Sequence, residues 1–181
     1  LFDRFPPEIF TALKESLGVE QKAYLVGGAV RDLLSNRPGN DLDFGVSGDI
    51  VKPGKRLANR LNGSFFMMDE EHPTARVYYT DASDKQWMLD LVSLRADDLE
   101  GDLRLRDFTI NAIALDIDAP DQIIDPLHGA QDLKERYLRC CSPTSLLDDP
   151  LRVLRGVRAT VKYGVKIPPE TRQLMVEAVP G

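Results

Sequence analysis

Cysteine is scarce in this 181-residue chain: there are two, Cys140 and Cys141, and they are adjacent. Neighbouring side chains project to opposite sides of an extended backbone, so the two are poorly placed to bridge one another or to seed a metal cluster. They read as reduced, partly buried thiols of a cytoplasmic protein. Long apolar runs are missing as well. Hydrophobic residues make up 43% of the chain but fall in short segments, and none approaches the roughly 18 residues of a membrane span, so no membrane partner is expected. No cationic stretch followed by an apolar core opens the chain at Leu1, so no secretory leader is read there. Positive charge is not in surplus: 23 Lys and Arg stand against 29 Asp and Glu, a net charge of −6. That excludes a surface gripping nucleic-acid phosphate everywhere. Any RNA contact must be local, and arginines do cluster late, at Arg104 and Arg106, Arg136 and Arg139, and Arg152, Arg155 and Arg158. There is no internal repeat or low-complexity segment, and nothing indicates an oligomeric state.

What is present is alternation of strand and helix signals. Ile9, Phe10, Leu13 and Leu17 recur at helical spacing before Gly18, predicting a packing helix over 6–17. Ala23 to Val26 reads as a buried strand running into Gly27-Gly28, with a helix from Ala29 to Leu34. After a turn at Pro38-Gly39, residues 41–46 read as a strand with Leu42, Phe44 and Val46 on one face and Asp41 and Asp43 on the other. A helix is predicted over 53–61 and strands over 64–68, 76–80 and 86–93. From about Thr109 onward helix is expected to dominate, with an apolar helix following the Asp107–Asn111 segment. Over 149–163 the residues Leu151, Leu154, Val157 and Val161 mark one side of a helix that Gly164 could end. Mixed strands flanked by helices predict an α+β or α/β layer structure. A soft boundary near Pro143 divides a strand-bearing head, 1–142, from a helical neck, 143–181.

Several groups have the types and spacing that chemistry needs. Asp41 and Asp43, two apart on a strand, can point at one pair of hard cations; a solvated strand edge is the plainer reading of an isolated Asp-x-Asp. Gly27 and Gly28 permit a sharp turn whose bare backbone can approach phosphate, with Arg31 as a cationic clamp, or they form only a tight strand-to-helix turn. Asp90 interrupts the apolar run Met88-Leu89-Asp90-Leu91-Val92, a poor place for an unpaired charge. A metal site, a pair with Arg95, or exposure on a half-buried strand would each explain it. In the segment 104–114, Arg106 could meet phosphate while Asp107 and Asn111 organise a ribose hydroxyl. Alternatively, Asp107 or Thr109 caps a helix and Arg106 pairs with Asp102. Asp149, Arg152, Arg155 and Arg158 recur every three residues. They are either a salt-bridged helix surface or the forked donor and carboxylate acceptor needed to read a base edge, with further arginines for the triphosphate.

Five elements in order carry a resemblance. They are Leu25-Val26-Gly27-Gly28-Ala29-Val30-Arg31-Asp32; Asp41-Leu42-Asp43; Arg106-Asp107-Phe108-Thr109-Ile110-Asn111-Ala112; Asp125-Pro126 with Gly129 and Asp132-Leu133; and Asp149-Pro150-Leu151-Arg152-Val153-Leu154-Arg155. Together, from about Tyr24 to Tyr163, the chain resembles the bacterial CCA-adding enzyme and poly(A) polymerase family. Two positions depart from the family pattern: Leu105 stands where a first arginine is usual, and Asp148 where glutamate is.

The resemblance implies an α+β, polymerase-β-like nucleotidyltransferase head followed by a helical neck. It implies Mg²⁺-dependent transfer of CMP or AMP from CTP or ATP to an RNA 3′ end, that of tRNA foremost, with poly(A) synthesis or a silent nucleotide- or RNA-binding module as alternatives. By position, Asp41 and Asp43 match metal-binding catalytic carboxylates, and Asp90 a third acidic catalytic residue. Gly27, Gly28, Arg31, Arg106, Asp107 and Asn111 fall in nucleotide-binding elements. Asp149 and Arg152 match a base-selecting pair, with Arg155 and Arg158 as further nucleotide contacts. Helical body and tail regions holding the RNA stem are expected beyond such a head and neck.

Overall fold

The computed structural model describes residues 1–68 and 73–179. Helix α1 (Pro7–Ser16) opens on Pro7, whose fixed φ suits a first helical turn, and buries Ile9, Phe10 and Leu13. Strand β1 (Ala23–Val26) leads through Gly27 into α2 (Gly28–Leu34), and β2 (Asp41–Val46) into α3 (Val51–Leu61). Three strands follow, β3 (Ser64–Met68), β4 (Thr74–Thr80) and β5 (Gln86–Ser93), then α4 (Leu99–Arg104), whose N-cap Asp98 accepts from the Gly101 N–H. After one 3-10 turn at Thr109–Asn111 come β6 (Ala114–Asp116) and β7 (Ile123–Ile124). The chain then turns helical, with α5 (Gly129–Glu135), α6 (Ser145–Asp148), α7 (Leu151–Tyr163) and α8 (Pro169–Glu177).

The seven strands form one sheet in the order β3-β4-β5-β2-β1-β6-β7, in which only β2 and β5 run parallel. The alternation read in β2 is realised: Leu42, Phe44 and Val46 are buried in the main core with Leu89, Leu91, Ala75 and Val77 of the neighbouring strands, under α1 and α3. Asp41 and Asp43 therefore stand on the opposite, open face.

One expectation is corrected. The apolar run after Asn111 is not a helix. Ala112, Ile113, Ala114 and Leu115 are all fully buried, and β6 pairs with β1 in the sheet. A short apolar run has no period of its own, and the vacant edge of β1 decides it as a strand. Helix α7 forms and ends at Gly164 as read, and the side marked by Leu151, Leu154 and Val161 faces away from the protein, at 67%, 67% and 84% exposure. The side turned inward carries Gly156 and Ala159. Small residues win that face because the backbone comes so close: a Cβ on Gly156 would lie 2.7 Å from the Phe108 ring and 2.3 Å from the Met175 methyl. This contact belongs to a second apolar cluster in which Phe108, Ile110 and Leu138 pack with Leu146, Ala159, Val165 and Met175. It ties the strand-bearing part to the last helices. Among the described residues, no helix is long and apolar enough to cross a membrane.

Candidate active site

The parallel pairing of β2 with β5 sets Asp43 directly beside Asp90. Asp41 is exposed and Asp43 partly buried, and neither carboxylate takes a hydrogen bond from any described residue. Burial pushes Asp43 above the usual carboxylate range, the charge of Asp90 adds to this, Arg106 opposes it, and Asp41 raises it further. The ionised form of Asp43 is thus disfavoured at this point of the open face.

Asp90 is not such a group. Its two oxygens accept from Arg76 Nε at 2.8 Å and Nη2 at 2.7 Å, and this fork, partly withdrawn from water, raises the Arg76 pKa. Of the alternatives left open for Asp90, a paired carboxylate is found, but its partner is Arg76 and not Arg95. Arg95 instead binds Asp102, because β4 lies next to β5 and its register brings Arg76 opposite Asp90.

Beside Asp43, β1 ends in Gly27 at φ 68 and ψ −131, a conformation side-chain-bearing residues rarely adopt. The turn is also crowded. A Cβ there would sit 3.1 Å from Arg106 Nη1 and 3.8 Å from Asp43 Oδ2, so this glycine is where backbone, guanidinium and carboxylate converge. Arg31 lies one turn on, buried, and all three of its nitrogens are engaged. Nε donates to Asp32 at 2.8 Å, Nη1 to the Asn111 side chain and Nη2 to the Tyr163 hydroxyl.

Arg106 does pair with Asp102, donating from Nε at 3.1 Å and Nη2 at 2.8 Å to one oxygen, which leaves Nη1 aimed at the Gly27 turn. Asp102 is buried, which by itself would raise its pKa. Arg106, the Arg95 N–H and the Arg95 guanidinium outweigh this and hold it below the ordinary value. Asp107 Oδ1 accepts from the Phe108 N–H and from Asn111 Nδ2. Its other oxygen is buried without a hydrogen bond among the described residues. Arg155 Nε stands 2.9 Å away but does not aim its N–H at it, so that contact is Coulombic. Thr109 caps nothing; its hydroxyl donates to Asp132 at 2.7 Å.

The last group is only partly assembled. Asp149 lies outside α7, extended at φ −150, and its carboxylate accepts from the Leu151 N–H. The expected helical i, i+3 geometry with Arg152 is therefore loosened to 3.8 Å, and Arg152 also donates to the Ser145 carbonyl at 2.9 Å. Arg155 and Arg158 are exposed, Arg155 leaning toward Asp107 and Asp43. Cys140 and Cys141 are free and partly buried, as read, and burial, then Asp107, pushes the Cys141 thiol up to about 12. Sequence reasoning missed Arg76 and Tyr163. Arg76 lay in a segment read only as strand, and no local pattern ties Tyr163 to Arg31.

The poly A polymerase head domain family matches residues 23–139. The chain belongs to this family. Its relatives include the CC-adding tRNA nucleotidyltransferase of Geobacter sulfurreducens, 39% identical over 163 residues, covering 87% of this chain and 36% of that protein. The A-adding tRNA nucleotidyltransferase of Halalkalibacterium halodurans is 34% identical over 173 residues, covering 87% and 39%. Among solved structures, a CCA-adding enzyme in complex with ATP superposes with a TM-score of 0.85 at 30% identity, over 99% of this chain and 44% of that one. The Thermotoga maritima CCA-adding enzyme in complex with tRNA gives 0.80 at 30%, over 98% and 43%. The α+β sheet with its flanking helices is thus the polymerase-β-like head of this family. The chain spans less than half the length of these relatives.

Proposed function

We propose that the chain is the head, residues 1–142, and neck, 143–181, of a cytoplasmic, template-independent nucleotidyltransferase. It adds CMP, AMP or both from CTP and ATP to the 3′ end of tRNA. The observation that carries this reading is that Asp41 and Asp43 share the open face of β2 with no hydrogen bond from any described residue, beside the Gly27 turn on which Asp43 Oδ2 and Arg106 Nη1 converge. An ionised carboxylate left this way is relieved by a hard cation. Among the described residues, no three His, Cys, Asp or Glu side chains form a ready-made metal cluster. A cation held by Asp41 and Asp43 would take its remaining ligands from water and phosphate, as Mg²⁺ does. When bound, Mg²⁺ would supply the Lewis acidity that activates a 3′-hydroxyl and steadies departing pyrophosphate.

The chain's own groups do the rest. Gly27 and Gly28 admit a triphosphate against bare backbone, and Arg106, braced by Asp102, presents Nη1 to it. Arg31, held by Asn111 and Tyr163, supports the same wall, with Arg155 and Arg158 at its open side. Asp107, itself buried, holds Asn111, and Asn111 holds Arg31, so these two position the wall, while Asp149 and Arg152 face a base edge. Asp90, charge-paired with Arg76, keeps a carboxylate beside Asp43. The test is incubation with Mg²⁺ and tRNAs ending before, within and after CCA, giving CTP and ATP separately and together. Extension by CMP, AMP or both is expected. Long A tails would indicate poly(A) synthesis, and nucleotide binding without any extension a silent module.

A further inference from the structure

The open face of the sheet carries aromatic side chains that the site above does not use. Paired residues in a sheet point to the same face, so the register can be read across it. From Asp43 the row runs through Asp90 and Arg76 to Phe66, and from Asp41 through Met88 and Tyr78 to Ser64. Phe66 and Tyr78 therefore share the face of the acidic pair. They are 50% and 44% exposed, and their rings meet edge to face with centroids 5.9 Å apart. Met68, also exposed, follows Phe66 on the same side of β3.

The position suits one kind of occupant. Toward β1 the acidic pair adjoins the Gly27 turn and the guanidinium groups assigned to the triphosphate. A second substrate must then approach from the other side, over β5, β4 and β3. Adjacent strands are about 4.8 Å apart, which sets Tyr78 about 10 Å from Asp41 and Phe66 about 14 Å from Asp43. At about 3.4 Å per stacked nucleotide, this is the reach of about three or four residues of a single strand. Arg76 is spent on Asp90, so the patch offers ring faces in place of free positive charge. That matches the faces of unpaired bases better than the phosphate of a duplex.

We propose that Phe66 and Tyr78 form a stacking platform for unpaired bases of the RNA acceptor strand, a few nucleotides back from its reacting 3′-hydroxyl. The proposal rests on the nucleotidyl-transfer reading. It is tested on the full chain with a short RNA of tRNA acceptor-end sequence, carrying 2-aminopurine at each terminal position in turn and with no nucleotide present. The wild type should quench the probe most at one position set back from the end. Phe66→Ala and Tyr78→Ala should each weaken RNA binding about fivefold to a hundredfold. Phe66→Tyr should restore it and Phe66→Leu should not, since leucine keeps apolar area without a π-face.

In turnover, KM for RNA should rise by the same factor, while KM for CTP and ATP stays within about twofold. Melting should fall by only a few degrees, because both rings are about half exposed and lose little more than their mutual contact. Absence of quenching by the wild type, equal rescue by leucine, or a rise confined to the nucleotide KM would overturn the platform. Quenching that the alanine variants abolish, in a protein that extends no RNA, would keep the platform and sink the transfer reading instead.

Discussion

The guanidinium carbon of Arg31 in α2 lies 4.0 Å from the ring centroid of Tyr163, the last residue of α7, whose hydroxyl accepts from the same arginine. The contact joins segments 132 residues apart and completes the engagement of a buried cation. Arg31 is thus braced, its orientation depends on the helix that carries Tyr163, and in the proposed nucleotide site it would form a wall. Tyr163→Leu should cost about 1–2 kcal/mol in stability from the lost cation–π and hydrogen-bond terms. It should also raise KM for CTP and ATP together, while Tyr163→Phe, which keeps the ring, should do less of both. Thermal melts alongside nucleotide KM values check this. A lower melting point with unchanged KM would make the contact a structural strut.

Asp43 gives a pH signature. Its folded-state pKa is raised, so its ionisation weighs against the folded, metal-free protein as pH rises from the ordinary carboxylate range through the raised value. Asp43→Asn should therefore melt higher than the wild type without metal at neutral pH, yet transfer no nucleotide. Because a cation binds the ionised form, Mg²⁺ affinity of the wild type should increase with pH across the same window and level off above it. Calorimetric titration with Mg²⁺ at several pH values reads this directly. A pH-independent affinity would remove Asp43 from the metal site.

Asp149 and Arg152 are predicted to select the incoming base. Arginine offers donors only and a carboxylate acceptors only, and together they complement the mixed edges of cytosine and adenine. Such pairings are worth about 1–3 kcal/mol, so Asp149→Ala or Arg152→Ala should relax the preference for CTP and ATP over UTP and GTP about tenfold. Single-nucleotide incorporation with each of the four triphosphates measures it. Equal slowing of all four would leave the pair a helix-terminus contact, which its present geometry already provides.

Gly156 tests how the neck is seated. An added methyl meets the fully buried Phe108 ring and the Met175 side chain, so Gly156→Ala should destabilise by about 1–3 kcal/mol despite alanine's better helix propensity. Urea unfolding at fixed pH would show it. A gain in stability would mean that α7 shifts freely on the head.

The strand at Asp41–Val46, and which of its faces carries the carboxylates, was legible in the residue pattern, because a period of two separates Leu42 and Phe44 from Asp41 and Asp43. Gly27 as a turn and the ordered motifs that identify the family were equally legible, since each is a local pattern. The partner of Asp90 was not legible there, because the register of β4 against β5 presents Arg76 and leaves Arg95 to Asp102. The same long-range packing placed residues 114–116 in the sheet, at the free edge of β1. In α7, periodicity marked two unlike faces, but the close approach to Phe108 turned Gly156 inward and left Leu151, Leu154 and Val161 in water. Periodicity records that neighbouring side chains differ; which long-range surface each side meets is set by packing that no short window of sequence contains.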